Sequence, residues 1–108
     1  LASIEANAGE VWTVDFGTAA KQRPVLVLAF PQPSDARALV VVVPLTSQLR
    51  GLRGEVDIGK PKWLPKHSAV NVQGFASIDQ NALQRKLGRL NDHQLGSVKD
   101  AVRDLLDL

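Results

Sequence analysis

A mainly β fold, a small and strongly bent antiparallel sheet or barrel closed by one C-terminal helix, is what the sequence predicts. Three observations predict it. Short runs rich in Val, Leu and Ile recur between connections that carry Gly and Pro. One run, Leu39 to Leu45, is continuously apolar and of strand length. Only the last segment shows a helical period, with Leu95, Val98, Val102, Leu105 and Leu106 forming one stripe. The 108 residues match the size of one domain, 1–108, in which 1–8 lack a clear period and read as a loose N-terminal segment.

The elements follow in order. Glu10 to Phe16 is β-branched and aromatic and reads as a strand. Val25 to Phe30 is a second strand opened by Arg23-Pro24, where proline is tolerated because no ladder donor is needed. Pro31 to Ala36 is turn-forming. Leu39 to Leu45 reads as a strand covered on both faces. Glu55 to Ile58 alternates polar and apolar, as a strand with one wet face does. A strand over 68–74, a helical turn near 80–86 and a short strand over 87–90 follow. Asn91 then predicts a helix N-cap, with Gln94 as its capping-box partner.

Composition excludes several function classes. With no Cys there is no disulfide, thiolate zinc site or Cys nucleophile. Two His residues, His67 and His93, lack metal-ligand spacing, so no metal and no cofactor is expected. No apolar run approaches the ~20 residues of a membrane span, and the expected location is the cytoplasm. The net charge of +2 is unevenly spread. Residues 91–108 hold four Asp against Lys99 and Arg103, whereas the first 90 hold eleven basic and seven acidic side chains. The stretch 50–66 is the densest in cations. Such a body suits a polyanion, or it is a solvated surface.

Two short stretches stand out. In Lys21-Gln22-Arg23-Pro24, cations precede a rigid apolar strand. In Val43-Pro44-Leu45-Thr46-Ser47-Gln48, hydroxyls end the central strand, and Arg50 and Arg53 follow. A guanidinium fork matches two phosphate oxygens and a Thr hydroxyl adds a neutral donor, so the set suits a phosphate. Each stretch, taken alone, reads equally as an ordinary strand end.

Gly9 to Phe16, Arg23-Pro24-Val25-Leu26-Val27-Leu28 and Val42-Val43-Pro44-Leu45-Thr46-Ser47 together resemble the PemK/MazF family of toxin endoribonucleases. Glu55-Val56, Ser77-Ile78-Asp79 and the terminal helix follow in matching order, so the resemblance covers about residues 9–107. It implies an SH3-like β-barrel, a homodimer, and metal-independent cleavage of single-stranded RNA. In that reaction the 2′-hydroxyl attacks the adjacent phosphate, leaving a 2′,3′-cyclic phosphate and a 5′-hydroxyl. It also implies a cognate antitoxin whose acidic C-terminal tail occupies the RNA groove. The family's essential Arg before Pro falls on Arg23, and its essential Thr on Thr46. Lys21, Ser47, Gln48, Arg50 and Arg53 become substrate contacts, and Asn71 and Gln73, on a strand that lines the groove in the family, become base-edge readers. The loop before Arg23 is shorter than in the best-known members, which leaves the general base unassigned. Two other functions compete: a CcdB-like gyrase inhibitor, and a nucleic-acid-binding module without chemistry.

Overall fold

The β-branched runs become strands because each buries one or both faces against a neighbour. The computed structural model describes residues 4–15, 22–36 and 38–108. Its strands are β1 (Glu10–Val14), β2 (Arg23–Ala29), β3 (Leu39–Thr46), β4 (Glu55–Gly59), β5 (Ser68–Asn71), β6 (Ala76–Asp79) and β7 (Leu83–Arg89), followed by helix α1 (Asp92–Leu106). All pairings are antiparallel, in the order β4-β5-β3-β2-β1-β7, with β6 added alongside β3.

β3 is the hub. It pairs with β2 over Val41 to Pro44, with β6 over Leu39 to Val42, and with β5 at Leu45 and Thr46. Its continuous apolar run suits that place. Val40 and Val42 belong to one buried cluster with Val14, Val25, Val27 and Leu83, while Val43 belongs to another with Val11, Leu26, Ile58 and Val98. Successive side chains point to opposite faces, so a strand apolar at every position feeds both clusters.

The ends of the sheet, β4 and β7, do not pair with each other, so the barrel expected from the sequence is an open sheet. Side chains fill the gap where a ladder would have closed it. α1 packs on β4 and on the 3-10 turn Val72–Gly74, burying Val98 in the cluster of Val11, Leu26, Val43 and Ile58. Trp63, from the β4–β5 connection, lies on Gly88 of β7, where a Cβ would stand 2.4 Å from the indole. Gly88→Ala therefore has to displace a ring, and we expect it to cost about 1–3 kcal/mol of stability. Urea unfolding measures this directly; wild-type stability would show that the indole is not held there.

The region after β5 departs most from the sequence-based reading. The strand expected over 68–74 stops at Asn71, whose side chain accepts the Gln73 N–H and starts the 3-10 turn. The helical turn expected near 80–86 spans only Gln80–Ala82, capped by Asp79 through the Asn81 N–H at 2.8 Å. From Leu83 the chain pairs with β1, with two register shifts. Gln84, Arg85, Lys86 and Leu87 are competent helix formers, but the β1 ladder and the burial of Leu83 outweigh that preference. Before it, Ala76 to Asp79 form β6 on the edge of β3, a strand the sequence did not announce.

α1 matches its signals. The Asn91 side chain accepts the Gln94 N–H at 2.7 Å, and the Gln94 side chain accepts the Asn91 N–H at 3.1 Å. Val98 is fully buried, and Leu95, Val102 and Leu105 are partly buried against the core, whereas Leu106 is exposed. Within the segment read as loose, Ala6 is buried and the Asn7 N–H donates to Glu10 at 2.9 Å.

Candidate active site

Two prolines create the cleft. A proline has no N–H to give to a ladder, so a pairing weakens where both strands carry one near the same rung. The last β2–β3 rung joins Val25 to Pro44, and Pro24 immediately precedes Val25. Past Pro44 the β2–β3 ladder ends, while Leu45 and Thr46 pair with β5 on the other side of β3. Arg23 and Thr46 each stand two residues beyond that last rung, on strands that have separated. Between them opens a cavity of about 830 Å³, lined also by Gln22, Pro24, Leu45, Ser47, Gln48, Leu64, Pro65, Lys66 and Ser68. Its volume is in the range of small-ligand sites, ~300–1,000 Å³.

The lining has a definite chemistry. Among the described residues it holds two cations, three hydroxyls and two side-chain amides, and no carboxylate. Arg23 is exposed and has no ion pair among the described residues. The Gln48 N–H donates to Thr46 Oγ1 at 3.0 Å, which fixes the hydroxyl and leaves its hydrogen available to a ligand. A second cavity, of about 450 Å³, carries the carboxylates of Glu5 and Asp35 and is unsuited to a polyanion.

Of the site residues read from the sequence, the fold gathers Arg23, Thr46, Ser47 and Gln48 in this cleft. Lys21 lies outside the described residues. Arg50, Arg53, Asn71 and Gln73 do not line the cleft. The N–H groups of Arg50 and Gly51 both donate to Glu55. The Arg53 guanidinium donates to the Asp104 carboxylate at 3.1 Å and to the Asp104 carbonyl at 3.0 Å, tying the loop to the end of α1. Asn71 caps the 3-10 turn, and Gln73 donates to the Arg53 carbonyl at 2.9 Å. Lys66 and Ser68 are lining residues that sequence reasoning missed. The cationic stretch 50–66 was the available signal, but charge density does not reveal which member of a run faces a cleft.

The two His residues occupy different settings. His93 is exposed in the first turn of α1. His67 Nε2 lies 2.6 Å from Asp57 Oδ1. The Gly59 N–H first, and His67 next, hold the Asp57 carboxyl below its usual range. Among the described residues no group of three or more His, Asp or Glu is placed to hold a metal ion.

Comparison with known proteins places the chain in a family. A family model described as "PemK-like, MazF-like toxin of type II toxin-antitoxin system" matches residues 7–106. The chain belongs to the PemK/MazF-like toxins. This MazF-like toxin is 32% identical over 101 residues to "Probable endoribonuclease MazF5" of Mycobacterium tuberculosis, covering 92% of the chain and 91% of that relative. Among solved structures, the Mycobacterium tuberculosis toxin MazF-mt6 superposes with a TM-score of 0.77 at 27% identity, over 92% of the chain and 97% of that toxin. A mycobacterial endoribonuclease, solved in complex with its cognate antitoxin, superposes with a TM-score of 0.81 at 23% identity, over 96% and 97% of the two chains. That second likeness establishes a shared fold. No helix among the described residues is long and apolar enough to cross a membrane.

Proposed function

We propose that this toxin–antitoxin endoribonuclease cleaves single-stranded RNA in the Arg23–Thr46 cleft, using the RNA's own 2′-hydroxyl as nucleophile. The observation that carries the proposal is the pairing, in one cleft, of a guanidinium with an oriented Thr hydroxyl, where the described residues supply neither an ion pair to Arg23 nor a carboxylate to the lining. In-line attack by the 2′-oxygen forms the new P–O bond and breaks the bond to the 5′-oxygen. The 2′-hydroxyl gives up its proton and the 5′-oxygen gains one. The products are a 2′,3′-cyclic phosphate and a 5′-hydroxyl. Charge builds on the non-bridging oxygens as the bond forms. The Arg23 fork answers that charge, and the Thr46 O–H donates to one of the oxygens. Ser47 and Gln48, on the same rim, add neutral donors.

The same electrostatics serves regulation. A cleft that accepts RNA accepts the acidic, extended C-terminal tail of a cognate antitoxin, which folds onto it and competes with the substrate. The toxin works in the cytoplasm, on messenger RNA, as a homodimer with two sites related by twofold symmetry.

The test is incubation with a long unstructured RNA, followed by mapping of the cut positions and chemical identification of both ends. Cyclic phosphate and 5′-hydroxyl ends are expected, at an unchanged rate in EDTA, because the nucleophile comes from the substrate and the stabilising groups from the protein. Intact RNA, or 5′-phosphate ends, would overturn the proposal.

A further inference from the structure

Lys66 reaches the cleft from a third element, the connection between β4 and β5, and its main chain is held in place from both sides. On one side Leu64 is buried at 4% exposure, and its N–H donates to the Pro61 carbonyl at 3.0 Å. Pro65 follows and restricts the backbone. On the other side Ser68, 6% exposed, donates its hydroxyl to the Lys66 carbonyl at 3.0 Å. Between them, His67 is tied to Asp57 of β4.

The ammonium itself is left over. Lys86, Arg53 and Arg103 each meet a carboxylate, whereas Lys66 is exposed and makes no ion pair among the described residues. A rigidly based cation with no ion pair, beside a cleft to which the described residues bring no carboxylate, is suited to a phosphate. Arg23 and Thr46 provide two donors to one phosphate at the parting of β2 and β3. Lys66 stands on a different element of the same cleft.

We propose that Lys66 is an RNA-binding residue of the cleft, contacting a backbone phosphate that flanks the one cleaved at Arg23 and Thr46. The inference rests on the RNA-cleaving reading above and adds a third element to its site. A flanking contact is made equally in the bound substrate and in the transition state. It therefore acts on KM and leaves kcat alone. It also adds one counterion to those released when RNA binds.

The experiment separates binding from chemistry. Binding of a single-stranded RNA with every 2′-hydroxyl methylated, and so uncleavable, is measured across a salt series for the wild type, Lys66→Ala, Lys66→Gln and Lys66→Arg. Lys99→Ala, on the exposed face of α1, carries the same change of net charge away from the cleft. Melting curves confirm that each variant is folded. We expect Lys66→Ala and Lys66→Gln to raise Kd about five- to tenfold and to lower the salt slope by ~0.7, the value for one phosphate of a single strand. Lys66→Arg retains most of the affinity, and Lys99→Ala binds as the wild type does. With cleavable RNA, KM rises by a similar factor and kcat stays within about twofold.

The inference is overturned if Lys66→Gln binds with wild-type affinity and salt slope, or if Lys99→Ala loses as much. It is also overturned if kcat falls while KM holds, or if the wild type does not bind the methylated RNA. A wild type that binds this RNA with the expected Lys66 dependence, yet leaves cleavable RNA intact, overturns the cleavage reading and supports the Lys66 contact.

Discussion

We expect Arg23→Ala and Thr46→Ala each to lower the rate of RNA cleavage by about 10²–10³-fold, the effect of removing one donor aimed at developing charge. Neither change should unfold the protein. Arg23 is exposed and makes no ion pair among the described residues, and among them the Thr46 hydroxyl accepts only the N–H of Gln48, two residues on. The conservative variants distinguish the two roles. Arg23→Lys keeps the charge and loses the planar fork, so it recovers only part of the rate. Thr46→Ser keeps the hydroxyl and recovers most of it, whereas Thr46→Val preserves the shape and recovers none. The double alanine variant should fall less than the product of the single losses, because both groups serve one phosphate. Single-turnover cleavage of a defined oligonucleotide is the measurement. Wild-type rates in both alanine variants would remove these residues from the chemistry.

The second large effect concerns stability, and it lies at Glu10, a residue that the sequence did not single out. Its side chain is 7% exposed and sits 3.0 Å from the Lys86 ammonium. It also accepts the Asn7 N–H at 2.9 Å and the Trp12 indole N–H at 3.1 Å. Burial, the largest single influence, opposes its charge. The Asn7 N–H, Lys86, the Trp12 indole and the Asn7 amide together overcome it and lower the pKa from 4.5 to about 2. A carboxylate whose pKa is lower in the folded than in the unfolded state stabilises the fold above pH 4.5. That stabilisation is lost as the pH falls from 4.5 to about 2. The depression corresponds to roughly 3 kcal/mol at neutral pH.

Glu10→Ala should therefore lose about 2–4 kcal/mol at pH 7, since it strands three N–H donors and an ammonium. Glu10→Gln keeps an acceptor for the Asn7 and Trp12 N–H groups and should lose less. Its stability should also vary less with pH between 4.5 and 2 than that of the wild type. Denaturant unfolding at pH 7 and pH 3 reads both. An equally steep pH dependence in Glu10→Gln would mean that another carboxylate carries it.

How much of this was legible in the sequence depends on the range of the interaction involved. β1, β2, β3, β4 and α1 were legible because their signals are local: β-branched runs bounded by Gly and Pro, a capping box, and a 3.6-residue stripe. β6 and the first half of β7 were not. Residues 76–79 are partly polar, and 83–87 favour a helix, so only the ladders offered by β3 and β1 make them strands. Arg23-Pro24 and Pro44-Leu45-Thr46 were legible for a physical reason too. The prolines that mark them in the sequence are the groups that end the β2–β3 ladder and open the cleft.

By itself, then, the sequence determined the strand-rich class, the terminal helix and the family resemblance, since each is written in runs of neighbouring residues, and through that resemblance it pointed to Arg23 and Thr46, which the fold brings to one cleft. Only the tertiary structure decided which cations are free to meet an anion. Arg53 is claimed by Asp104, fifty-one residues away, and Lys86 by Glu10, while Lys66 is left facing the cleft. Charge along a chain is a local count. Whether a charge is compensated depends on what the fold brings within about 4 Å of it, and that is settled only when distant segments pack together.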